Sequence, residues 1–117
     1  MQARFNKFGQ IEIEGECYPH DVVIERGIVG KRKKSPSKAY RGEYGHTPLS
    51  AEEPLPWGGD CLYIGTGMYG SLPIMPAVYK EAEKQGVRLV VDKTAMICQL
   101  LNKSATKEVN AVLHVTC

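Results

Sequence analysis

Apolar and polar positions alternate with two different periods along the chain. In residues 1–48, Ile11 and Ile13 alternate with Glu12 and Glu14, the period of a strand with one dry face and one wet face. Gly15 marks a turn after it. The run Asp21-Val22-Val23-Ile24-Glu25 predicts a second strand, Arg26-Gly27 a tight turn and Ile28-Val29 a third strand running into a basic stretch. Ser35-Pro36-Ser37 interrupts it. Ser50-Ala51-Glu52-Glu53 has the capping-box spacing that opens a helix, and Pro54 and Pro56 limit that helix to about one turn.

From residue 60 onward the pattern predicts β-α-β-α-β. Asp60-Cys61-Leu62-Tyr63-Ile64 is nearly continuous apolar sequence, suited to a strand covered on both faces. Pro76 and Gly86 bracket a helix that buries Val78, Tyr79 and Ala82. Val87 to Val91 forms the next strand. A second helix runs from about Thr94 to Asn102, burying Ala95, Ile97, Cys98 and Leu101, and the last strand spans Val109 to Val115. Strand-helix-strand alternation at this spacing predicts three mutually parallel strands. The expected fold class is α/β, a compact three-layer α/β/α domain around a mixed sheet, with a β-rich N-terminal half. At 117 residues the chain has room for one domain, residues 1–117.

In a parallel sheet, ligands bind beyond the carboxyl ends of the strands. Three loops should meet there: Gly65-Thr66-Gly67, Asp92-Lys93-Thr94 and His114-Val115-Thr116-Cys117. The stretch Gly65 to Gly70 matches G-x-G-x-x-G letter for letter, with Asp92 placed roughly where a ribose-binding acid would sit. Pro73 and Pro76, however, delay the helix that a dinucleotide site requires, and no phosphate-loop lysine follows Gly70. Candidate ligand-binding residues are Gly65, Thr66, Gly67, Tyr69, Gly70, His46, Lys34, His114 and Thr116. No catalytic set is assigned. His114 reads as a hydrogen-bonded core histidine, with an acid-base role or a Cys117-His114 pair as the alternatives. The carboxylate expected beside Cys117 would raise its thiol pKa and oppose nucleophilic use.

Composition narrows the class. Apolar residues make up 43% of the chain and charged residues 24%, a globular balance. A net charge of +2 is too small to call for nucleic acid. The basic residues nevertheless gather at Lys31, Arg32, Lys33, Lys34, Lys38 and Arg41. That run is either a solvated face or an exposed docking face near His46 for phosphate or an acidic partner, and replacing Arg32, Lys34 and Lys38 with Ala should leave folding almost unchanged. Cys17, Cys61, Cys98 and Cys117 lack the spacing of a zinc site or a redox pair. They are expected to be four free thiols without metal, in a reducing, cytoplasmic setting. No cofactor, no signal-peptide core and no membrane insertion are expected; a protein partner, a small anion or self-association is left open.

Tyr18-Pro19-His20-Asp21-Val22-Val23-Ile24, Leu62-Tyr63-Ile64-Gly65-Thr66-Gly67 and Ala111-Val112-Leu113-His114-Val115-Thr116-Cys117 resemble the domain of unknown function four-nine-eight. This Mth-like family includes the adipogenesis-associated Mth-like domain protein and the mitochondrial NADH dehydrogenase assembly factor three. The basic run with Gly45-His46, then Leu72-Pro73 and Asn102, fits as well, so the resemblance covers nearly the whole chain. It implies a three-layer fold around a mixed sheet, no established reaction and, from its mitochondrial branch, a role in assembly. The sequence departs from the family at Pro54 to Gly59, where a longer acidic helix is usual. Two functions follow from residues and resemblance together: a non-catalytic binding or assembly module, or a small enzyme or nucleotide- or anion-binding protein built on the Gly65–Gly70 loop.

Overall fold

The computed structural model describes residues 1–117. The N-terminal half divides between two sheets. Strands β1 (Ala3–Lys7), β2 (Gln10–Ile13) and β3 (Glu16–Tyr18) form an antiparallel sheet in that order. Strands β4 (Val22–Glu25) and β5 (Ile28–Lys31) join the C-terminal strands β6 (Cys61–Gly65), β7 (Arg88–Asp92) and β8 (Ala111–Leu113) in a mixed sheet of order β5-β4-β8-β6-β7. Strand β6 pairs in parallel with both β7 and β8, so the three C-terminal strands run the same way. Strand β4 pairs antiparallel with β8 and β5.

Local chemistry accounts for much of this. Glu25 faces Ile28 across the two-residue loop Arg26-Gly27, whose φ values of 49° and 79° are both positive. That is a type I′ hairpin, whose twist matches the flanking strands. The helix α2 (Pro76–Gln85) starts on a proline and ends at Gly86, which has a φ of 69°. The helix α3 spans Thr94–Lys103.

Two apolar clusters flank the mixed sheet. One joins β1 and β2 to α3 and to the side chains of Val22, Ile24, Ala111 and Leu113. The other joins Val78 of α2, with Leu49, Leu55 and Leu72, to Leu62, Ile64 and Val112 on the opposite face. Strand β8 is therefore buried on both faces, with consecutive residues feeding different clusters. The layers are α3 with the small antiparallel sheet, the mixed sheet, and α2 with the loop around Leu49 to Leu55. Asn102 of α3 fastens β1 in place: its Oδ1 accepts from Ala3 N at 2.6 Å and its Nδ2 donates to Ala3 O at 3.0 Å.

Several local expectations are corrected. Residues 51–53 form a turn rather than a helix. The basic stretch leaves the sheet at Lys31 and continues as a 3-10 helix, Ser35–Tyr40, and the short helix α1, Arg41–Tyr44. Ala95 and Tyr79 are exposed. Helix α3 buries Thr94, Ile97, Cys98 and Leu101, and Ala95 lies about 60° of rotation beyond the edge of that stripe at Cys98. Tyr79 is likewise displaced from the Val78–Ala82 line.

Candidate functional site

The three loops at the carboxyl edge of β6, β7 and β8 do meet, and they fill the space between them. Gly67 N donates to Thr94 Oγ1 at 2.9 Å. Thr94 in turn donates through Oγ1 to His114 O at 2.6 Å and through its backbone N to Gly67 O at 3.1 Å. Met68 N donates to Thr116 O at 2.8 Å, and Tyr69 N and Ser71 N both donate to Cys117 O, at 2.9 and 3.1 Å. Thr66 closes the loop onto β7 by donating through N and Oγ1 to Asp92 O. The amides of Met68, Tyr69 and Ser71, which an anion would use, thus hold residues 116–117.

Gly67 shows how tight this closure is. Its φ is 105°, and a Cβ there would lie 2.3 Å from Cys117 C and 2.9 Å from His114 Cδ2. The glycine pattern therefore serves close approach of the chain to itself. The helix at the end of the loop does not begin until Pro76, and the N-terminal turn of α3 faces Gly67 O. Tyr69 and Gly70 are exposed at the loop tip. His46 and Lys34 are exposed on the segment after β5, and no hydrogen bond or ion pair ties either to the glycine loop. Of the candidate residues, the structure joins Gly65, Thr66, Gly67 and Tyr69 with His114 and Thr116.

Beneath this edge lies a buried polar network. Arg32 is 4% exposed. It donates through Nη1 to Asp21 Oδ2 at 2.9 Å, through Nε and Nη2 to Glu53 at 2.9 and 2.8 Å, and through Nη2 to Pro48 O at 3.0 Å. Ser37 Oγ lies 2.5 Å from Glu53 Oε2 and 2.7 Å from Ser50 Oγ. The expected exposed positive face is corrected at Arg32, which is the internal counter-ion of two carboxylates; Lys33, Lys34, Lys38 and Arg41 are exposed. The Ser50/Glu53 spacing that imitates a capping box belongs to the same network. Arg suits this place better than Lys, because its planar fork meets Glu53 with two parallel bonds.

Asp21 links the network to the glycine loop. Its Oδ1 accepts from Val115 N at 2.8 Å and its Oδ2 lies 2.8 Å from His114 Nδ1. Burial alone would raise the Asp21 pKa, but hydrogen bonds from His114, Val115 and Arg32 lower it to about 2. An ionised Asp21 only accepts, so His114 Nδ1 carries the proton. His114 Nε2 then faces Thr116 Oγ1 at 3.1 Å. His114 is therefore joined to Thr116 and not to Cys117.

Hydroxyl, imidazole and carboxylate in this order have the connectivity of a hydrolytic triad. Two features set it apart. Asp21 Oδ2, which would stabilise an imidazolium, is already paired with Arg32. Thr116 lines none of the surface concavities at β5, beside β1 and β2, or between α2 and β7. Every buried side-chain nitrogen and oxygen of the network has a partner within the chain. No group of three His, Cys, Asp or Glu side chains is placed to hold a metal ion.

The sequence reading missed Asp21, Ser37, Ser50 and Glu53 as a group. The one local signal was an arginine among lysines at Lys31-Arg32-Lys33-Lys34.

A mixed-sheet α/β domain with a self-closed carboxyl edge is the class of protein these features define. Its architecture is similar to that of a conserved hypothetical protein, PH1505, from Pyrococcus horikoshii OT3, at 28% identity over the whole of both chains with a TM-score of 0.76. A protein called MT938 shares the fold at 22% identity, covering 98% of this chain and 99% of that one, with a TM-score of 0.51. The Xanthomonas campestris protein XCC1710 shares it at 10% identity, covering 98% and 86% of the two chains, with a TM-score of 0.58. No protein-family model and no curated protein matches the chain.

Proposed function

We propose that the protein is a non-catalytic binding or assembly module of the four-nine-eight type, working through its surface. The observation that carries this reading is the closure of the Gly65–Gly70 loop on His114 to Cys117. The amides that would cradle a phosphate hold the chain's own oxygens, so a nucleotide would have to displace them before binding. Four free cysteines, one of them the exposed Cys17, suit a reducing, cytoplasmic setting. No helix is long and apolar enough to cross a membrane.

The alternative is a small hydrolase or nucleotide-binding protein, and the specific observation in its favour is the Asp21–His114–Thr116 chain of contacts. A thermal-shift panel of nucleotides, dinucleotides and inorganic phosphate separates the two. A ligand at one hundred times its dissociation constant stabilises a fold by about 2.7 kcal/mol. The binding-module reading predicts no such shift with any member of the panel; a saturable shift that Gly67→Ala abolishes would favour the alternative.

A further inference from the structure

We propose that the free edge of β5 is a docking site for an extended, acidic segment of a partner protein, which adds to the mixed sheet as a further strand and lays one apolar side chain over Gly30. The proposal rests on the binding-module reading and names the surface and the kind of partner.

Strand β5 ends the order β5-β4-β8-β6-β7, so no strand of the chain pairs with its outer edge. An open edge is a ready template for a strand from another chain. A surface concavity of about 530 Å³ lies here. Its floor includes Val23, Ile28 and Gly30, with Pro54 beside them. Val23 pairs with Gly30 and Glu25 with Ile28, which puts these four residues on one face of the ribbon. Ile28 is 75% exposed, more than any other large apolar residue of the chain.

Gly30 is the informative residue. Glycine weakens a strand interior and often marks the close approach of another backbone or ligand. Its φ lies outside the left-handed region, and a Cβ there would meet only Val23 O, at 3.9 Å. Neither backbone geometry nor packing within the chain requires a glycine. What it provides is open floor between Val23 and Ile28.

Charge selects the occupant. Arg26, Lys31 and Lys33 rim the concavity against the single carboxylate of Glu25. An acidic strand complements that rim. A second copy of this chain would bring its own Lys31 and Lys33 to the same place, so like charges would meet.

The test is an NMR titration of the 15N-labelled full chain with the peptide acetyl-Asp-Val-Glu-Val-Asp-Val-Glu-amide. Two controls accompany it, one with every acid replaced by Lys and one with Pro at the centre to block main-chain pairing. The expected result is amide shifts confined to residues 22–33 with the acidic peptide alone, weakening several-fold at high salt. Gly30→Val should keep the fold, because valine suits a strand and its Cβ meets ordinary space, yet weaken binding by more than about tenfold by filling the floor. Lys31→Glu with Lys33→Glu should abolish the salt dependence. The proposal is overturned by no shifts on β5, by equal binding of the Lys or Pro peptide, or by unchanged binding to Gly30→Val. Concentration-dependent shifts on β5 without peptide would also overturn it, by giving the edge to a second copy. These outcomes would leave the binding-module reading standing, whereas a nucleotide-induced thermal shift would strike that reading and not this surface.

Discussion

Arg32 Nη1 lies 2.9 Å from Asp21 Oδ2, inside a molecule where both side chains are almost fully withdrawn from water. The pair joins the residue before β4 to the residue after β5, and Glu53 extends the tie to the turn following Leu49. Burial would lower the Arg32 pKa, but its bonds to Glu53 and Asp21 outweigh that and raise it, so the guanidinium stays charged. The network fixes how the basic segment leaves the sheet.

Removing Arg32 should therefore be costly. Arg32→Met leaves the Asp21 and Glu53 carboxylates buried without their common counter-ion, and loss of one member of a buried pair costs about 3–5 kcal/mol. Lys34→Ala and Lys38→Ala, both at exposed positions, should change stability by less than about 0.5 kcal/mol. Urea unfolding of the three variants checks this. Equal midpoints would mean that Arg32 contributes no more than the lysines around it.

Asp21 gives the stability a defined acid limb. Its folded pKa of about 2 lies below the ordinary value of 3.8, so the contribution is present above about pH 4 and is lost as pH falls through about 2. The shift corresponds to roughly 2 kcal/mol. Asp21→Asn should flatten the pH dependence of unfolding between those limits while lowering stability at neutral pH. An unaltered acid limb in Asp21→Asn would show that other carboxylates carry it.

The cysteines should react in an order set by burial. Cys17 is exposed and should be modified first by a thiol reagent in the native protein. Cys98 packs in the core under α3, where burial pushes its thiol up to about 12, and it should react only on unfolding. Native and denatured thiol titrations, read by mass spectrometry of peptides, test the order. Early labelling of Cys98 would contradict its placement.

What was legible in the sequence was written locally. Pro76 and Gly86 punctuate α2, the paired positive φ at Arg26 and Gly27 closes a hairpin, and the apolar run at Leu62 to Ile64 betrays a strand with two dry faces. Strand β1 escaped although Ala3 and Phe5 alternate with Arg4 and Asn6, because only these two apolar positions mark it; β3 escaped because none of its three residues is buried. The convergence of Gly65, His114 and Thr116 followed from parallel topology. That the loops would close on each other did not, because the hydrogen bonds from Tyr69 and Ser71 span more than forty residues of chain, as far as Cys117. The Asp21–Arg32–Glu53 network was hidden for the same reason, and its Ser50 and Glu53 carried a misleading local pattern.

Gly67 offers a steric check of the closure. A Cβ at 2.3 Å from Cys117 C, on a backbone with a φ of 105°, has no room. Gly67→Ala should destabilise the fold by about 1–3 kcal/mol and release the segment from His114 to Cys117. Gly30→Ala, with open space around its Cβ, is the matched control and should be neutral or slightly stabilising. Similar losses at both glycines would remove the distinction between them.

The central claim is that the carboxyl edge of the sheet is occupied by the chain itself, and amide hydrogen exchange at Tyr69 and Ser71 tests it most directly. Both residues are exposed, yet each amide is bonded to Cys117 O. The account predicts that both exchange slowly compared with unbonded loop amides, and that saturating phosphate or ATP leaves their rates and shifts unchanged. Fast exchange at both positions, slowed when phosphate or ATP is added, would show instead an open anion site at the glycine loop.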